Sequence, residues 1–316
     1  MMPSQSKQNN DERKGPSSRP LIIAWASVYD AIPGLRVPGT NLDIAFTLLS
    51  AAFLMTMRFV NLRYLCLGLL QLDEHASTEV SGSMGSILHS TILCPALLVA
   101  LLTVKEYNPS QHRDKESQWW VNFIDAQLQF CTGYMVQDSL FILLFRFEGM
   151  DLASGVIPTS LHFSFTDDDI LFLCHHLLTT IYMTQCRVYR AGHMSAMICM
   201  FLGELSNPLH NAYWISDILM GIQGRGNATV HFILETSFAI VYNAIRVVIA
   251  PVFFAHVSYN LMFSKDGNAG HLPFLVRVFW VVMIWAVEYG SISTITMCHS
   301  ALKKNLFGDG VAEQDL

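Results

Sequence analysis

Asp167 to Asn211 reads DDDILFLCHHLLTTIYMTQCRVYRAGHMSAMICMFLGELSNPLHN, two apolar segments joined by a short basic turn. The first segment carries the adjacent pair His175 and His176, and the second ends in Glu204, Asn207, His210 and Asn211. An ionisable side chain in hydrocarbon costs about 2.5–3.5 kcal/mol on insertion scales, so one that persists there faces a protein interior, a cavity or a partner. The stretch therefore predicts membrane helices whose polar groups gather inside a bundle.

Composition carries the same reading to the whole chain. Of 316 residues, 52% are hydrophobic and 14% charged, against about 25% charged in soluble domains. A multi-pass membrane protein follows. The net charge of -6 comes from short acidic clusters, and without a basic stripe no nucleic-acid partner is expected. Seven cysteines, an odd number with no C-x-x-C pair, speak against a disulfide or zinc framework, and no metal is expected.

Taken in order, residues 1–20 are polar and lack an apolar h-region, so a disordered tail and no cleaved signal peptide are expected. Leu21 to Tyr29 is too short to span and reads as an interfacial segment. Seven runs then offer about 20 mostly apolar residues each. They lie near Leu42 to Val60, Ser83 to Val104, Ile124 to Phe147, Ile170 to Val188, Met194 to Ile215, Val230 to Val248 with an extension to Phe263, and Phe274 to Met297. The first is the weakest, because Arg58, Asn61 and Arg63 interrupt it. Lipid leaves no partner for backbone polar groups, so such runs must be helices. The predicted fold is an all-α membrane protein, a bundle of six to seven transmembrane helices over 41–304. A polar tail and interfacial segment (1–40) precede it and a polar tail (305–316) follows.

Adjacent helical residues lie about 100° apart, so one histidine of the pair is expected to face the interior. His175 shares its face with Leu171 and Thr179, His176 with Phe172 and Thr180. Glu204, Asn207 and Asn211 form one polar stripe, and Pro208 removes the N–H that would bond the Glu204 carbonyl, which predicts a kink beside the acid. Asp138 interrupts the third run, Arg246 the sixth and Glu288 the seventh, the last two reading as a structural ion pair. Asp167, Asp168 and Asp169 read as a solvated helix start. The helices bearing Asp138, the His pair and Glu204 are expected to converge. Two roles remain open for the histidines: chemistry, or hydrogen bonding between helices worth about 0.6 kcal/mol.

The H-x-x-H-H and H-x-x-x-H boxes of membrane di-iron enzymes are absent, as are G-x-S-x-G, H-E-x-x-H, P-loop and Rossmann motifs. What the chain does resemble is the TLC-domain family, particularly its small plant members. The resemblance rests on Gln137-Asp138-Ser139, on Asp169, Leu171, Phe172, His175, His176, Leu177 and Thr179, and on Glu204, Ser206, Pro208 and Asn211, and covers Ser83 to Lys304. It implies a TLC-type helical barrel in the endoplasmic reticulum, acting in lipid homeostasis with membrane lipids as partners. In ceramide synthases, the family's best-understood enzymes, the His-His helix moves a fatty acyl group from acyl-CoA to a sphingoid amine. By that resemblance His175 and His176 are the catalytic candidates, Asp138, Thr179, Glu204, Asn207 and Asn211 the substrate-binding ones, and acyl-CoA the co-substrate, with no resident cofactor. The chain departs from the longer ceramide synthase signature. Arg190 and Gly192 stand three residues early, and Glu204 occurs where two aspartates are expected. The alternative is a non-enzymatic lipid sensor or trafficking adaptor.

Overall fold

The computed structural model describes residues 20–103, 117–145, 165–222, 225–263 and 272–308. The polar tail expected over residues 1–20 lies outside them but for Pro20, as do residues 309–316. Among the described residues there are eleven helices and no strand, with one isolated bridge, Arg36 to Asp43. In order they are α1 (Pro20–Asp30), α2 (Ala45–Val60), α3 (Glu74–Thr103), α4 (Gln118–Phe145), α5 (Asp167–Val188) and α6 (His193–Glu204). Then come α7 (Asn207–Gly221), α8 (Ala228–Asn243), α9 (Ala250–Phe263), α10 (Phe274–Gly290) and α11 (Ile292–Phe307).

Two of these helices do not stop where the apolar pattern breaks. α2 continues through a π-wound stretch, Asn61–Leu69, and α8 joins α9 through another, Ala244–Ile249. Each lies near a buried arginine: Arg58 is in the last turn of α2 and Arg246 sits inside the second stretch. π-winding is rare and is found frequently at functional sites. The first predicted run is therefore longer than expected. Among the described residues, four continuous stretches are long and apolar enough to cross a membrane: Ala45–Leu69, Glu74–Thr103, Ala228–Phe263 and Phe274–Phe307.

At Pro208 the result is a break and not a kink. α6 ends at Glu204, and α7 restarts with Pro208 in its first turn, where a missing N–H costs nothing. α5 opens with a capping box: Asp169 N–H donates to Thr166 Oγ1 and Thr166 N–H to the Asp169 carboxylate. The cap is thus Thr166, ahead of the three aspartates.

α4 is the central helix, with α1, α2, α3 and α5 packed around it. Its residues from Trp120 to Met135 are buried without a gap, so a helix rich in Asn, Asp and Gln is tolerated because no side of that stretch sees lipid. Gly133 sets the approach of α2, since a Cβ there would stand 2.7 Å from the Thr47 carbonyl oxygen. Close contact of this kind replaces the hydrophobic drive that lipid cannot supply. α1 contributes Ile22 and Ala26 to the same core. It packs into the bundle more deeply than an interfacial segment requires.

Candidate functional site

Asp138 and Ser139 are successive residues of α4 that both reach His176 of α5. Ser139 Oγ lies 3.2 Å from His176 Nδ1, and Asp138 Oδ2 lies 3.7 Å from Nε2. The second distance is electrostatic and not a hydrogen bond. A carboxylate on that side favours the tautomer with its proton on Nε2, which leaves Nδ1 to accept from the Ser139 hydroxyl. Oδ1 of the same aspartate takes the Arg58 guanidinium of α2. Arg58 in turn lies 3.4 Å above the Phe141 ring. Gly82 of α3 makes room for it, because a Cβ there would come within 2.6 Å of Arg58 Nη2. Four helices thus fix one imidazole, which is 4% exposed. His175 is half-buried, its ring centre 5.8 Å from that of His176.

A second cluster forms around Glu204, at the end of α6. Oε2 accepts from Ser90 Oγ at 2.7 Å and from Asn207 Nδ2 at 2.8 Å, with His89 Nδ1 at 3.3 Å. His89, on α3, is fully enclosed, stacked on Tyr134 with ring centres 4.1 Å apart and on Phe130 at 5.3 Å. Asn211 donates to Ser86 Oγ and to the Asn207 carbonyl. His89, Cys131 and Glu204 bring one nitrogen, one sulfur and one oxygen within 4.8 Å of one another. That donor set suits a zinc-like ion, while Ser90, His89 and Asn207 already serve the carboxylate.

Tyr134 joins the two clusters, stacked on His89 on one side and edge-on to His176 at 6.3 Å on the other. The helices bearing Asp138, the His pair and Glu204 do meet, yet in two linked clusters and not around one point. Of the predicted residues, Asp138 and His176 fall in the first cluster, Glu204, Asn207 and Asn211 in the second. Thr179 is half-buried and makes no hydrogen bond to either cluster among the described residues. Sequence reasoning missed His89, Ser90, Ser139 as a partner, and Tyr134. His89 carried a usable signal: an ionisable group within the apolar run Ser83 to Val104, of the kind that singled out Glu204. Arg58 was read as an interruption when it is the partner of Asp138. Arg246 and Glu288 do pair, at 3.6 Å, with Arg246 also reaching the Gly203 carbonyl.

A family model for the TLC domain matches residues 79–296, more than half of the chain. The chain belongs to the TLC-domain family. Every residue of the two clusters except Arg58 lies inside the matched span. Together with the four long apolar helices, the TLC domain makes this an integral membrane protein. A TLC domain-containing protein of Arabidopsis thaliana is 24% identical over 135 residues, 42% of this chain. The match takes in 50% of that relative's length.

Proposed function

We propose that this TLC-domain protein acts in membrane lipid homeostasis in the endoplasmic reticulum, handling or transferring fatty acyl chains at His176, with acyl-CoA as donor. The single observation that carries this reading is the contact of Ser139 and Asp138 with opposite nitrogens of one buried imidazole. An imidazole held in one tautomer has its lone pair on Nδ1, where it can take the proton of an attacking amine or alcohol that displaces the Ser139 hydroxyl and return it to the departing CoA thiolate as the acyl C–S bond breaks. Asp138 orients the ring and steadies the imidazolium that forms, while Arg58 keeps that carboxylate in place. His175, next to it and less enclosed, would contact the acyl group instead of moving the proton. We further propose that α4, α5 and the α6–α7 pair also cross the bilayer, giving six to seven spans arranged as a TLC barrel. α4, at 28 residues, is about 42 Å long.

A second reading has its own support. Neither of the two described cavities is lined by His175 or His176, and the Glu204 cluster joins α3 to α6 and α7 through one carboxylate oxygen. A non-enzymatic lipid sensor or trafficking adaptor would use both clusters as staples. Incubating purified protein with labelled acyl-CoA and long-chain amines or alcohols separates the two. Acylated product that His176→Ala abolishes supports transfer; no product from an abundant, folded protein supports the sensor.

A further inference from the structure

At the far end of α5 from the His pair, about 16 Å along the helix from His176 at 1.5 Å per residue, lies a cavity of about 320 Å³. It sits where α1 and α5 end and α2 and α4 begin, an edge of the bundle and not its hydrocarbon middle. Three guanidinium groups line it, those of Arg36, Arg187 and Arg190, against two carboxylates, Asp43 and Asp125.

The carboxylates are engaged in building the walls. Asp43 Oδ1 accepts from the backbone N–H groups of Leu35 and Ala45 at 3.0 and 2.9 Å, which folds the loop that carries Arg36 across to the start of α2. Asp125 lies 3.8 Å from Arg187 Nε. Arg187 is itself buried, donating to the Asp43 carbonyl. Such a charge, brought to the cavity wall and locked there by two neighbours, is a built feature and not a loose surface lysine. Arg190 is held at φ +52°, a left-handed backbone that a non-glycine residue rarely adopts. Arg36 and Arg190 are exposed at the mouth.

Guanidinium forks match the oxygen pairs of phosphate, and basic pockets between helices at the membrane surface hold lipid headgroups. A lining this polar and cationic does not suit an acyl chain. We propose that this cavity binds a phosphate group, presented either as the headgroup of an anionic lipid or as a soluble phosphate ester. The proposal stands apart from acyl transfer, since His176 takes no part in it.

The test uses the full chain in nanodiscs of phosphatidylcholine with or without phosphatidic acid, followed by native mass spectrometry of the lipid retained. In parallel, detergent-purified protein is titrated with inorganic pyrophosphate. The wild type is expected to retain phosphatidic acid about tenfold over phosphatidylcholine, and the variant Arg36→Gln/Arg190→Gln to lose about that factor. Arg190→Lys, which keeps the charge without the fork, should fall between. Retention of phosphatidic acid with no pyrophosphate binding assigns the lipid headgroup; pyrophosphate binding that the double variant removes assigns a soluble ester. Equal retention of the two lipids with no pyrophosphate binding, or retention unchanged in the double variant, overturns the proposal. If the double variant loses its fold, Arg36→Gln alone, in an exposed loop, decides the same question.

Discussion

Two clusters of the same chemical kind, a histidine beside a carboxylate, meet at Tyr134, and they differ in how they are closed. Glu204 has its acceptor oxygen filled by Ser90, Asn207 and His89, the last wholly enclosed. Asp138 gives one oxygen to Arg58 and leaves the other 3.7 Å from His176, with its side chain 16% exposed. The first arrangement commits Glu204 Oε2 to three neighbours, while His89 is held by stacking on Tyr134 and Phe130 with neither ring nitrogen hydrogen-bonded among the described residues. The second keeps a polarised imidazole next to a hydroxyl. On the proposed reading the carboxylate tied to three neighbours makes the first cluster a staple, and the imidazole paired with a hydroxyl makes the second a site.

The comparison breaks most visibly at His89. His89→Ala removes the imidazole neighbour of Glu204 and leaves a ring-sized gap beside Tyr134 and Phe130, a loss of about 3–5 kcal/mol. It should appear as a lower Tm and poor recovery of monodisperse protein in detergent. An unchanged Tm would mean that the sealed cluster is no staple.

Arg58→Met comes next. It strands the Asp138 carboxylate, which is partly solvated, so about 1–3 kcal/mol is expected. Adding Asp138→Leu should restore most of it, because the two losses are one interaction. A double variant as unstable as the sum of its parts would contradict the pairing.

Gly133→Ala probes the frame that holds both clusters. The added methyl meets Thr47 and Ser50 of α2, and overpacking costs about 1–3 kcal/mol. If stability is untouched, α2 does not lean on α4 as closely as described. Replacing the remote pair together, Arg246→Met/Glu288→Leu, should change stability by about 1 kcal/mol or less in either direction, since a buried ion pair gains little over apolar packing. A large loss would move that pair from scaffold to function.

Much of this was legible in the chain, and the exceptions have physical reasons. Apolar runs located the helices because lipid leaves the backbone no other option. The apolar run of α2 reads as ending at Val60 because Arg58, Asn61 and Arg63 interrupt it, and only the Asp138 partner on α4 shows how Arg58 is accommodated. α4 carries Asn122, Asp125, Gln127 and Gln129 in its buried stretch; hydropathy alone cannot separate a central helix lined with amides from one that fails to span. Pro208 announced a disturbance correctly, but whether a proline kinks or restarts a helix depends on tertiary support. Glu204 stood out because a carboxylate in an apolar run is costly. His89 carried the same kind of signal, but its partners Tyr134 and Glu204 lie far along the chain, so the sequence shows no sign of what it joins.

The largest chemical effect belongs to His176. His176→Ala removes an imidazole that is 4% exposed and leaves a gap beside a Ser139 hydroxyl without its acceptor, so stability should fall by about 1–3 kcal/mol. The most direct measurement is labelled acyl transfer from acyl-CoA by wild type, His176→Ala and Glu204→Gln, each normalised to folded protein. The account predicts that His176→Ala is abundant and inactive, while Glu204→Gln loses abundance and keeps its activity per folded molecule. Activity retained in His176→Ala, or lost from well-folded Glu204→Gln alone, would place the chemistry in the other cluster and contradict it.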